Sequence, residues 1–138
     1  MSESLDLAPE TQEYGYLISS DEACQVWWCE GTYKVNCQRQ APRKQASTVA
    51  ISAARNEYEP FQIVCRPKHY MKDATVEITD LTGKDGTIPK EHVSIMHVGY
   101  VYTRIPADPS ARIGCYPDPL LPYEGSFELP PEVNHPLW

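Results

Sequence analysis

Two carboxylates two positions apart, Glu57 and Glu59, are the first residues whose types and spacing could do chemistry together. On a strand they would share a face, about 6.5–7 Å apart by rise. Carboxyl groups about 5–9.5 Å apart can hydrolyse a glycosidic bond, one as acid and the other as nucleophile or base. These two, however, stand in Arg55-Asn56-Glu57-Tyr58-Glu59, just ahead of an alternating apolar segment. Ion pairs and turn hydrogen bonds at a sheet end account for them more simply. Arg55, Asn56 and Glu57 are therefore read as a structural motif that fixes a sheet edge, and no residue is assigned a catalytic role.

The five cysteines could do a second chemistry. Cys24, Cys29 and Cys37 could supply three thiolates to a metal, with Cys65 and Cys115 further along. None forms the close C-x-x-C pairs that zinc sites usually show. The expectation is free, mostly buried thiols, with no metal and no cofactor. His69, His92, His97 and His135 are scattered and suggest no ligand set.

Asp118 lies between two prolines in Cys115-Tyr-Pro-Asp-Pro-Leu-Leu-Pro122. Prolines stiffen such a stretch and hold the carboxylate in one direction. It could reach a ligand or a neighbouring domain, or accept the loop's own N–H groups. Trp27, Trp28, Tyr100, Tyr102, Tyr116 and Tyr123 could stack on sugar rings. On one strand Trp27 and Trp28 must point to opposite faces. At most one is core on a given side, and the other belongs to the second face or to an interface. Interface burial is the preferred reading, with Trp28, Tyr116 and Asp118 as the contact residues. Nucleophile-elbow, zincin, P-loop and dinucleotide-binding motifs are all absent.

Composition bounds the rest. The chain has 138 residues, enough for one domain with its own core. Its formal charge of −7 is uneven, because residues 1–33 carry seven acids and no Lys or Arg. Such a chain does not attract phosphate backbones or anionic lipid by its field. No apolar run is long enough to span a membrane as a helix. The opening residues have neither the basic nor the apolar region of a leader. Free thiols fit a reducing cytosol, but a leader could lie outside this chain, so localisation stays open.

The elements that must position these residues read as strands. Residues 1–14 form a loose acidic lead, and residues 15–138 form the folded domain. Strands are expected at 15–19, 24–29, 32–37, 47–53, 57–66, 74–79 and 93–103, with a turn at 81–86 and a bulge near Gly99. Eight of the 13 prolines lie in residues 106–136. That stretch should run as an ordered, surface-hugging loop without long strands. Many short strands with turns between them point to an all-β, antiparallel β-sandwich. The apolar Leu137-Trp138 terminus suggests a sandwich cut off at its C-terminal edge. An unfinished edge would favour self-association.

Four blocks in this order resemble the N-terminal β-sandwich region of glycoside hydrolase family 123, proteins of β-N-acetylgalactosaminidase type. They are Trp27-Trp28-Cys-Glu-Gly-Thr-Tyr-Lys34-Val, Ile51-Ser-Ala-Ala-Arg55-Asn56-Glu57-Tyr-Glu59-Pro-Phe61-Gln62-Ile-Val, Tyr116-Pro-Asp118-Pro-Leu-Leu-Pro122 and Asn134-His-Pro-Leu-Trp138. The resemblance covers about residues 26–138. It implies a non-catalytic module that packs against and orients a downstream catalytic barrel. The family's Asp-Glu pair belongs to that barrel and has no counterpart here. Its relatives are often exported. The alternative is a stand-alone carbohydrate-binding module with a glycan as partner.

Overall fold

The computed structural model describes residues 14–105 and 113–138. The acidic lead up to residue 13, and residues 106–112 of the proline-rich stretch, lie outside the described residues. Among the described residues the strands are β1 (Tyr16–Ser20), β2 (Cys24–Glu30), β3 (Phe61–Pro67), β4 (Met71–Ala74), β5 (Leu81–Gly83), β6 (Gly86–Ile88), β7 (Met96–Thr103), β8 (Gly114–Pro122), β9 (Phe127–Leu129) and β10 (His135–Leu137). One short 3-10 turn covers Lys90–His92. The fold is all-β and its sheets are antiparallel.

Six strands form the main sheet, in the order β1-β2-β3-β10-β7-β8. The β1–β2 turn is set by Asp21, whose Oδ1 accepts the Ala23 and Cys24 N–H groups at 2.8 Å each. Those two bonds favour the charged carboxylate and lower the Asp21 pKa. Trp27 faces one side of the sheet and Trp28 the other, as alternation requires. Both are buried. Trp27 joins Cys29, Val35 and Val64 in the core, with Tyr14, Leu17, Tyr33 and Ala41 packed around them. Gly15 is required here: at φ 88° its Cβ would stand 2.6 Å from the Trp28 carbonyl oxygen.

Residues 31–40 cover the Trp27 face without forming the strand expected at 32–37. Their carbonyls are bonded by side chains instead of by a neighbouring strand. The Gln62 amide donates to Glu30, Gly31 and Tyr33 at 3.1, 3.2 and 2.7 Å. The Tyr100 hydroxyl donates to Val35 at 2.9 Å, and the Asn134 amide to Asn36 and Arg39 at 2.8 Å each. Trp138 Nε1–H donates to Gly31 at 3.0 Å.

The strand expected at 47–53 is also absent, and the segment is largely exposed. Alternation alone does not make a strand; a partner must supply the hydrogen bonds. The free side of β1 is already bonded to residues 44–46, by Leu17 N–H to Lys44 O at 2.7 Å and Ala46 N–H to Leu17 O at 3.0 Å. Residues 75–79 likewise form no strand, although β4 ends at Ala74. The expected turn at 81–86 is the β5–β6 hairpin, with Lys84 and Asp85 at its tip.

The proline-rich stretch departs most from expectation. Residues 114–122 form a nine-residue strand, not a loop. Proline is tolerated because β8 is the sheet's last strand, where one side of the backbone has no ladder to make. The bulge expected near Gly99 is present: Val98 pairs with Leu120 and Tyr100 with Pro117, so Asp118 and Pro119 together oppose Gly99. A Cβ on Gly99 would lie 2.9 Å from Pro119 Cγ, so only glycine admits that approach.

The C-terminal strand is not an edge. β10 lies between β3 and β7. Met96 and Trp138 exchange two backbone hydrogen bonds of 2.8 Å. Even-numbered residues of β10 thus turn their backbone toward β7. The missing N–H of Pro136 faces that side and spares the ladder to β3.

Candidate interaction surface

One row of side chains crosses the sheet through its register. Tyr16 opposes Trp28, Trp28 opposes Ile63, Ile63 opposes Leu137, Leu137 opposes His97, and His97 opposes Leu121. Paired residues share a face, so this row marks the face opposite Trp27. At the β1 end it is covered: Tyr16 stacks on Trp28 with ring centroids 5.1 Å apart, and the Lys44 ammonium lies 4.5 Å from the Tyr16 ring. In the middle, the β4–β9 ribbon supplies a second layer, with Phe127 stacked on His97 at 5.5 Å.

At the β8 end the face is open. Val101 opposes Tyr116 beyond the bulge, on the same face as Leu121. These three are 48%, 44% and 45% exposed. Asp118 is exposed on the bulge between Tyr116 and Leu121, within a strand and not at a loop tip. Beside Leu121 a hollow of about 300 Å³ is lined by His97, Pro122, Tyr123, Glu124, Ser126 and Phe127. Tyr123 meets Phe127 edge-on at 5.8 Å. Its hydroxyl accepts the Val76 N–H at 2.8 Å and donates to the Gly125 carbonyl at 2.5 Å.

Two histidines stand beneath this second layer. His97 and His135 are stacked with centroids 6.5 Å apart, and His135 Nε2 bonds the Pro130 carbonyl at 3.1 Å. Burial lowers the pKa of both imidazoles below 6.5. Neutral imidazoles can accept or donate hydrogen bonds here but carry little charge at neutral pH. Among the described residues no group of His, Cys, Asp or Glu is arranged to hold a metal ion.

The residues expected to act together are divided by the fold. Tyr116 and Asp118 share β8, whereas Trp28 lies four strands away, about 19 Å by strand spacing. Trp28 is 5% exposed and capped by Tyr16, so it offers no open face. Its indole N–H, like that of Trp27, is buried without an acceptor among the described residues. Arg55, Asn56 and Glu57 do not fix a sheet edge. They form an exposed turn outside the sheet, with Asn56 at φ 62° and the Glu57 carboxylate accepting the Ala54 N–H at 2.6 Å. Glu57 and Glu59 are therefore not paired on a strand face.

Sequence reasoning missed the roles of Gln62, Asn134 and Trp138, although all three lie in the blocks quoted for the resemblance. It also missed the hollow, because His97 and Phe127 meet only through tertiary packing. Compared with protein-family models and with curated proteins, the chain matches none. The surface is therefore read from its own geometry: an exposed apolar strip of Val101, Tyr116 and Leu121, continuous with a hollow that has aromatic walls and a polar rim.

Proposed function

We propose that this chain is a non-catalytic β-sandwich module that docks on a neighbouring domain through the β7–β8 end of its sheet. In a glycoside hydrolase-like parent, that neighbour would be the catalytic barrel that the module orients. The observation that carries the reading is the alignment of Val101, Tyr116 and Leu121 on one face, open where the rest of the row is covered. Apolar and aromatic side chains grouped on a rigid sheet favour a protein partner. Tyr116 and Asp118 stay in the contact set, and Trp28 supports the face from within. Self-association through a sheet edge has less support, since β1 is bonded to residues 44–46 and β8 carries three prolines.

The test is calorimetric titration of the chain with the polypeptide encoded downstream of Trp138. Binding that is lost on Tyr116→Ser combined with Val101→Ser supports the reading. A stop codon after Trp138, no binding, or binding indifferent to the substitutions overturns it.

A second reading is supported by the hollow itself. Tyr123, Phe127 and His97 line the hollow with aromatic carbon, and Glu124 and Ser126 add a carboxylate and a hydroxyl at the rim. That combination suits a sugar, whose C–H face packs on rings while its hydroxyls bond polar groups. Titration with N-acetylgalactosamine, followed by NMR shifts at Tyr123 and Phe127, decides it; no shift at either residue rejects it.

A further inference from the structure

The five cysteines sort into two pairs and one single residue. The Cys115 thiol has Cys37 as its neighbour, and the Cys24 thiol has Cys65. Cys29 is buried in the Trp27 core. All five are free thiols. The two pairs differ in what they join. Cys24 and Cys65 stand on β2 and β3, neighbouring strands already zipped together from Cys24 to Glu30. Cys37 and Cys115 join a segment that has no strand ladder to the edge strand β8.

The geometry holds the second pair from both sides. Cys115 opposes Tyr102 in the β7–β8 register, which places it on the Trp27 face with Tyr100. Residues 31–40 lie across that face. The Cys37 carbonyl accepts the Asn134 N–H at 2.8 Å, and the Asn134 amide holds the adjoining Asn36. Two residues before Cys37, the Val35 carbonyl accepts the Tyr100 hydroxyl at 2.9 Å. Lys34 Nζ reaches the Pro117 carbonyl, two residues after Cys115, at 3.5 Å. The 31–40 segment is thus held over the β7–β8 pair by bonds to Tyr100 and Asn134, with Lys34 reaching β8, independently of any bond between the sulfurs.

We propose that Cys37 and Cys115 are a disulfide-forming pair that staples the 31–40 segment to the edge strand under an oxidant such as glutathione disulfide. Cys115 is the more exposed of the two and attacks first. Its thiolate takes one glutathione sulfur and expels the other as a thiolate. Cys37 then attacks the Cys115 sulfur of the mixed disulfide and expels the second glutathione. One S–S bond is lost and one forms. The two cysteine sulfurs are oxidised by two electrons in all, glutathione disulfide is reduced to two glutathiones, and the two thiol protons pass to them. Burial and the neighbouring Cys37 push the Cys115 thiol up to about 12. Reaction at neutral pH is therefore slow and speeds up as pH rises, the behaviour of a structural staple and not of a fast sensor.

The experiment uses the whole chain, folded, with glutathione disulfide, followed by alkylation and non-reducing peptide mapping. The expected product is a linked Cys37–Cys115 peptide, with a thermal midpoint raised by about 5 °C or more over the reduced chain. Cys37→Ser should stop the reaction at a glutathione adduct on Cys115. Cys115→Ser should leave Cys37 unmodified while the fold holds, which keeps the test decisive if the first variant is unstable. A stable glutathione adduct on Cys115 in the unsubstituted chain would overturn the proposal. So would pairing of Cys115 with any other cysteine, or an unchanged midpoint after linkage.

Discussion

Trp138 Nε1–H donates to the Gly31 carbonyl at 3.0 Å across 107 positions of chain. The bond ties the last residue to the first turn after β2. The same carbonyl also accepts from Gln62. Residues 31–40 can therefore cover a core face without being a strand, because buried side chains supply the donors that a neighbouring strand would otherwise provide.

Trp138→Phe keeps an aromatic ring, trims the indole to a phenyl and removes this one donor. The expected loss is about 1 kcal/mol, since Gln62 still bonds the carbonyl. Asn134→Ala should cost more, about 2–3 kcal/mol, because two part-buried carbonyls lose their partner at once. Urea unfolding of both variants checks the order. An Asn134→Ala loss no larger than that of Trp138→Phe would contradict the role given to Asn134.

The histidines set a pH dependence. Folding lowers the pKa of His97 and His135 below the ordinary 6.5, mainly by burial. Between the folded value and 6.5 the unfolded chain binds more protons than the folded one. Their contribution is therefore fully present above about pH 6.5 and is lost as pH falls through the folded pKa. The urea midpoint should drop between pH 7.5 and pH 5.5. In a His97→Gln, His135→Gln double variant the drop should shrink, and an equal drop would refute the assignment.

The prolines of β8 should keep its outer side from pairing. Replacing Pro117, Pro119 and Pro122 together by Val restores three N–H donors on a β-branched edge. Sedimentation velocity should then show dimers or larger species at concentrations where the parent chain stays monomeric. A variant as monomeric as the parent would show that something other than proline blunts this edge.

Trp28 and Tyr116 should separate cleanly by substitution. Trp28 is buried and stacked on Tyr16, so Trp28→Ala should cost about 3–5 kcal/mol. Tyr116 is 44% exposed, so Tyr116→Ser should cost clearly less than Trp28→Ala, about 1 kcal/mol. Thermal denaturation of the two variants measures both. A large loss for Tyr116→Ser would mean that it is part of the fold and not of a docking surface.

Alternation was a sound guide where a segment had neighbours on both sides, as in β2 and β3. It misled at 47–53, where Val49 and Ile51 alternate with the smaller Thr48, Ala50 and Ser52 but no strand lies alongside. The bulge at Gly99 was legible because a glycine broke the phase of an apolar run. The nine residues of β8 were not legible. Proline excludes an interior strand, and only the sheet order reveals that this strand is an edge. For the candidate surface, Tyr116 and Asp118 could be named in advance, but their distance from Trp28 could not.

By itself the sequence determined the all-β class, the opposed faces of Trp27 and Trp28, and the absence of familiar catalytic motifs, because these follow from residue type and local period. Only the tertiary structure decided which strands are edges, that Gln62, Asn134 and Trp138 hold the 31–40 segment, that Val101 and Tyr116 share an open face, and that Cys37 meets Cys115. Those outcomes depend on register and on contacts between distant parts of the chain. Local pattern says which residues want burial or a hydrogen-bond partner, and the assembled sheet determines which partner each one meets.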